Sequence, residues 1–151
     1  MQHVSEAAIL QAERIIASYQ LVTGRALVAE SAAPVALFEF PAVVVAHGTE
    51  QDPLLNYGNR AALALWELTW DQLVGTPSRQ TAEPVHRDER ARLLARVTEF
   101  GFIDDYRGIR ISASGRRFEI RSAVVWNVID QTGAHWGQAA TFSHWDYLPA
   151  T

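Results

Sequence analysis

The sequence predicts an α+β fold: a five-stranded antiparallel sheet with helices on one face, plus an N-terminal amphipathic helix. Three observations predict it. Strand-like runs fall in two groups, one near residues 43–57 and one after residue 103. Helical periodicity fills the interval between them. Two tight-turn signals, Ser114-Gly115 and Thr132-Gly133, join the last three strands as hairpins.

Residues 5–20 place Ala8, Ile9, Ala12, Ile15, Ile16 and Tyr19 on one stripe, with Ser5 as N-cap and Thr23-Gly24 as the stop. That stripe needs a cover. A homodimer formed through residues 5–20 supplies one, and so does folding back onto the same chain. Residues 24–41 are small-residue-rich and punctuated by Pro34 and Pro41. The chain therefore divides into a helix with its connection, 1–34, and a main domain, 35–151.

The main domain opens on the β-branched run Val43-Val44-Val45, turns through 48–53, and continues as a short strand at 54–57. Asn59 caps a helix over 60–67. Thr69-Trp70-Asp71-Gln72 matches a capping box, and Gly75 ends the helix it starts. A loop or single turn over 76–83 precedes the longest helix of the domain, 84–100. Leu93, Leu94, Val97 and Phe100 form its apolar face, and Gly101 stops it. Strands follow at 103–113, 116–130 and 136–144, with Gly108 at a candidate bulge. Strict alternation puts Phe118, Ile120, Val124, Trp126 and Val128 on one face of the long strand. Val125 and Ile129 on the other face imply partial cover there too.

Composition excludes several chemistries. Cysteine is absent, which removes thiolate nucleophiles, Cys-ligated zinc, iron–sulfur clusters and flavin–cysteinyl adducts. All 13 basic residues other than histidine are arginines, so Schiff-base and P-loop lysines are absent as well. A net charge of -4, with acidic residues interleaved among the arginines, gives no reason to expect nucleic acid or an anionic membrane as partner. The N-terminus has no basic segment ahead of an apolar run, and no run approaches the ~20 residues of a membrane span. The expectation is a cytoplasmic domain.

Particular segments carry a family likeness. Leu54-Leu55-Asn56-Tyr57-Gly58-Asn59-Arg60-Ala61-Ala62 and Leu68 to Gly75 resemble the PAS passage from second strand into capped helices. His47-Gly48-Thr49-Glu50, Pro77-Ser78-Arg79-Gln80-Thr81-Ala82-Glu83-Pro84, Gly115-Arg116-Arg117-Phe118, Val125-Trp126-Asn127 and Gly137 to Phe142 add a narrower resemblance. They look like the MEKHLA family, a PAS-like group, in its stand-alone bacterial form. The likeness runs over about residues 35–147. It implies a PAS-like fold and a non-enzymatic sensory or interaction role, without naming a ligand or cofactor. Such domains also occur in plant homeodomain–leucine zipper regulators. Residues 1–34 carry no DNA-binding pattern, so that setting is not expected here.

A small apolar or amphipathic ligand would sit between the sheet and the helices of 60–100. Tyr57, Trp66, Arg110, Phe118, Trp126, Gln138 and Phe142 are the candidate lining; the plainer reading of the aromatics is core. In flavin-binding PAS relatives a glutamine on the last strand touches the chromophore, and Gln138 is comparably placed. Arg110 carries a fork suited to a carboxylate. Arg79, Glu83, Arg87 and Arg110 could equally form a structural ion-pair network. His86 would be the ligand in a haem-binding alternative. His47 with Glu50 or Asp52 suits a turn, a metal, or the acid–base pair of a small cone-fold enzyme. Ser143, His144 and Asp146 lack a nucleophile elbow, and neighbours on a strand point to opposite faces.

Overall fold

A computed structural model describes residues 5–28, 34–82 and 87–149. The order is α1 (Glu6–Thr23), α2 (Val35–Phe38), β1 (Val43–His47), β2 (Leu55–Gly58), α3 (Arg60–Trp66), α4 (Trp70–Leu73), a 3-10 turn (Ser78–Thr81), α5 (Arg87–Phe100), β3 (Phe102–Ile111), β4 (Arg117–Ile129), β5 (His135–Phe142) and β6 (His144–Tyr147). The strands form one antiparallel sheet in the order β2-β1-β5-β4-β3, and β6 also pairs with β4. The fifth expected strand is thus interrupted at Ser143 and resumes as a sixth. β5 lies along residues 124–129 of β4, and β6 lies along residues 118–121.

The caps act as their chemistry dictates. Ser5 Oγ accepts from the Ala8 amide, and Thr69 and Gln72 complete a reciprocal capping box. Asn59 does more than cap α3. Its Oδ1 accepts from the amides of Ala62 and Val44, and its Nδ2 donates to the carbonyls of Leu37, Phe40 and Ala42. One fully buried amide therefore joins α2, β1 and α3.

Two bulges decide which side chains meet. At the β1–β2 pair, Ala46 opposes Tyr57 but the next residue, His47, opposes Leu55. Asn56 is the extra residue, so Leu55 and Tyr57 point to opposite faces despite being two apart. In the β3–β4 pair, Gly108 opposes Ile120 and Tyr106 opposes Ala123, which puts the extra residue on β4. Ser122 takes the left-handed conformation there, φ 53°. Phe118 and Ile120 consequently share a face with Ala123 and Val125 rather than with Val124, Trp126 and Val128. The single alternation expected for β4 is broken at that serine.

The sheet has two covered faces. On the inner face, α3 and α5 pack against Val43, Phe118, Ile120, Ala123, Val125 and Phe142. On the outer face, Ala12, Ile15 and Tyr19 of α1 pack against Val44, Ala46, Tyr57, Trp126, Val128 and Ala139. Helices α3 and α5 lie on one face, as expected, and the N-terminal helix α1 folds back onto the other. The apolar stripe of residues 5–20 is covered by its own sheet, and Ile9, Leu10 and Leu21 face outward. Among the described side chains of α5 only Leu93 and Val97 are buried, Leu94 is half-buried, and Phe100, expected inside, is 66% exposed. The helix reaches the sheet through a narrow one-turn contact, and its last residue overhangs the edge.

Candidate functional site

Between the inner face and helices α3 and α5 lies a cavity of about 70 Å³. Val45, Leu55, Ile120, Val125 and Phe142 give it apolar walls on the sheet side, and Leu93 and Leu94 close it from α5. Its polar residues include Trp66, Arg110, Gln138, Tyr106 and His47.

Trp66 is the last residue of α3, and its position is set by the β3–β4 hairpin. Its carbonyl accepts from the Ala113 amide at 3.0 Å. Glu67, next in chain, holds the left-handed conformation (φ 61°) in which a helix usually ends on glycine. Its carboxylate accepts from the Ser112 hydroxyl and from the Ser114 amide and hydroxyl. Those bonds hold the Glu67 carboxyl below its usual pKa. The indole ring meets Phe118 and Phe142 edge-on, at centroid distances of 5.5 and 6.2 Å. Its Nε1–H is buried with no acceptor.

Gln138 and Asn127 are direct register partners on β5 and β4. Gln138 Nε2 donates to the Leu94 carbonyl, Thr98 Oγ1 and Asn127 Oδ1, each at 3.1 Å. Asn127 Nδ2 donates to the Val97 carbonyl at 2.9 Å. The two amides thereby tie α5 to the sheet where few apolar contacts do so. Three acceptors around Nε2 orient the Gln138 amide and leave Oε1 buried without a partner. An orphaned buried polar atom costs about 1–3 kcal/mol, so two at one cavity need a reason.

Arg110 stands on β3 on the same face as Tyr106, with Gly108 between them. The Tyr106 ring lies over Gly108, where a Cβ would collide with the ring and its hydroxyl. From there the hydroxyl accepts from Arg110 Nη2 at 2.8 Å, while Nη1 donates to the Ile109 carbonyl at 2.8 Å. His47 Nδ1 lies 3.0 Å from the Gly48 carbonyl, which places the proton on Nδ1.

The structure brings four of the expected lining residues together: Trp66, Arg110, Gln138 and Phe142. Phe118 lies in the core beneath Trp66. Tyr57 and Trp126 sit on the outer face, sent there by the bulges at Asn56 and Ser122. Burial there pushes the Tyr57 phenol well above its ordinary pKa. Tyr106, Leu93 and Leu94 were missed; Tyr106-Arg107-Gly108-Ile109-Arg110 alternation was the signal that could have found the first.

The other candidates are placed as follows. Asp52 pairs with Arg79 at 3.2 Å on the surface, and Glu50 accepts from the Leu54 amide. Neither lines the cavity with His47. Ser143 and His144 bond to each other at an exposed site, and Asp146 pairs with Arg121. Glu83, His86 and the Arg87 side chain lie outside the described residues. Among the described residues, no three potential metal-ligating side chains gather, and no helix is long and apolar enough to cross a membrane.

Comparison with known proteins places this geometry. The MEKHLA domain profile matches residues 9–147. None of the curated proteins matches the chain. Among solved structures, the PAS domain of a protein from Colwellia psychrerythraea is similar with a TM-score of 0.62 at 12% identity, covering 71% of this chain and 88% of that one. A light-oxygen-voltage domain studied with a flavin analogue gives 0.60 at 14% identity, covering 77% and 84%. The light-state dimer of the fungal blue-light photoreceptor Vivid gives 0.54 at 12%, covering 68% and 76%. These likenesses show a PAS-like fold.

Proposed function

The chain belongs to the MEKHLA domain family, and from that premise we propose that it is a non-enzymatic sensory module that binds a small ligand between its sheet and helices α3 and α5. One observation carries the reading: two buried polar atoms without partners, Trp66 Nε1 and Gln138 Oε1, belong to residues that line one apolar cavity. A ligand offering an acceptor and a donor satisfies both. The same Gln138 amide that leaves Oε1 unpaired holds α5 through Nε2. Ligand binding therefore acts on the amide that sets the α5 position, and the output is a change in α5 packing.

Size limits the ligand. Cofactor-sized pockets run to roughly 300–1,000 Å³. A cavity of about 70 Å³ favours a ligand smaller than a flavin or a haem, and the chain has no cysteine for a flavin adduct. The placement of Asp52 and Glu50 in surface contacts away from the cavity favours the sensory reading over a cone-fold enzyme. Association with a second copy belongs to the same proposal, through the outward row of α1. Leu10 and Leu21 are three turns apart on that row and about half exposed.

Native mass spectrometry of protein purified without denaturation tests the binding reading. A retained small molecule that is lost in Gln138→Leu is the expected result. No retained mass, with no response of the Trp66 indole or Gln138 amide resonances to any small organic molecule, would refute it.

A further inference from the structure

We propose that the ligand is a small organic monocarboxylate anchored by Arg110. The inference rests on the ligand-binding reading above and specifies the charge the ligand carries. It starts from an inversion in how this chain distributes its ion pairs. Arg25, Arg60, Arg79, Arg107 and Arg121 each face a carboxylate within 3.6 Å, and all of them lie on the surface. Arg110 is 7% exposed, and no carboxylate among the described residues pairs with it. Those five exposed guanidiniums, where pairing contributes little, are paired. The buried one, where an unpaired charge is most costly, has only neutral acceptors among the described residues.

A guanidinium cannot shed its proton to escape that cost. Two of its five N–H donors reach Ile109 and Tyr106, and the remaining ones have no acceptor among the described residues. The Tyr106 hydroxyl accepts from Arg110 and keeps its own O–H to donate, again with no acceptor among the described residues. Gly108 makes this arrangement: only without a Cβ there does the phenol ring fold down to the arginine. A planar fork beside a phenolic O–H, on the wall of an apolar cavity, is a carboxylate clamp. Among the described residues no second arginine lines the cavity, and the chain has no lysine, so a singly charged anion balances Arg110. The apolar walls take the body of the acid. Trp66 Nε1–H and Gln138 Oε1 remain for a further polar group on it.

The test is a titration followed by the Trp66 indole and Gln138 side-chain amide resonances. The probes are propionate, butyrate, 3-hydroxybutyrate and valerate, each run against its uncharged primary amide. The expected result is saturable shifts with at least one acid, with its amide at least tenfold weaker. Arg110→Met removes the response while the spectrum stays dispersed. Arg110→Lys, which keeps the charge without the fork, and Tyr106→Phe, which keeps the ring without the O–H, each weaken binding several-fold. Amides that bind as tightly as the acids overturn the carboxylate assignment and leave the ligand-binding reading standing. So does a retained molecule that proves to be neutral. Acid binding that survives Arg110→Met overturns the assignment to Arg110, and no response to any acid overturns the carboxylate class.

Discussion

Trp126 and Trp66 are both buried, on opposite faces of the sheet, and they are treated differently. Trp126 meets Tyr19 edge-on at 4.9 Å and donates its Nε1–H to Ser18 Oγ at 3.0 Å. Ser18 in turn donates to the Ile15 carbonyl. Helix α1 buries six residues on that face, and Gln11 adds a bond to Asn56. Trp66, across the sheet, keeps an indole N–H with no acceptor among the described residues, beside a cavity and under a helix that buries two of its described side chains. The outer face is finished as a core is finished: packed, with its polar atoms paired. The inner face is left incomplete, in volume and in hydrogen bonds, around one arginine. Unfinished packing within a chain that packs its other face well is the mark of a site.

That contrast is broken most forcefully on the outer face. Trp126→Ala should cost about 3–5 kcal/mol in urea unfolding, because it empties a closed site and strands Ser18. Ser18→Ala should cost about 1–3 kcal/mol by leaving the Trp126 N–H buried alone. Trp66→Phe removes an N–H that bonds to nothing and should cost less than about 1 kcal/mol. Equal losses for Ser18→Ala and Trp66→Phe would mean that the two faces are finished alike. Arg110→Met sharpens the comparison through its sign. In ligand-free protein it should hold or raise the unfolding midpoint, since it deletes a buried charge that meets no carboxylate among the described residues, while it abolishes carboxylate binding. Leu10→Glu with Leu21→Glu should leave stability nearly unchanged and lower the mass seen by light scattering if the outward α1 row joins two copies.

Much of this architecture is legible in residue order. The capping box at Thr69, the Asn59 cap, the hairpin turns and the α1 stripe are local signals, and each is expressed locally. What strand periodicity does not carry is a change of phase. A bulge adds one residue to one strand and reverses every side chain beyond it, and neither Asn56 nor Ser122 announces that by type. For this reason strict alternation assigns Tyr57 and Trp126 to the cavity, whereas they lie under α1. Trp66, Gln138 and Phe142 lie where no extra residue intervenes, and they line it. Arg110 was visible as a candidate by its chemistry. That no carboxylate among the described residues meets it is a three-dimensional feature that no spacing encodes.

A third tryptophan extends the comparison to pH. Trp136 donates its Nε1–H to Asp130 Oδ2 at 3.1 Å, while the guanidinium of Arg14 lies 3.7 Å above its ring. Asp130 also accepts from the Thr132 hydroxyl and from the amides of Thr132 and Ala134. These bonds, led by the Thr132 hydroxyl and then the Trp136 indole, hold its carboxyl down from 3.8 to about 2. A depressed carboxylate pKa stabilises the fold above the unfolded value, and that contribution is lost as pH falls through the folded value. The β4–β5 turn should therefore be fully held above about pH 4 and released toward pH 2. Followed by NMR, the Trp136 indole N–H should titrate with the Asp130 carboxyl at about 2, and Asp130→Asn should flatten the curve. The Trp126 indole, bonded to a neutral hydroxyl, should not respond over that range. If all the indoles moved together, the acid transition would be global unfolding rather than release of one turn. Separate behaviour of Trp126, Trp136 and Trp66 would show three indoles answering to a hydroxyl, a carboxylate and an open cavity.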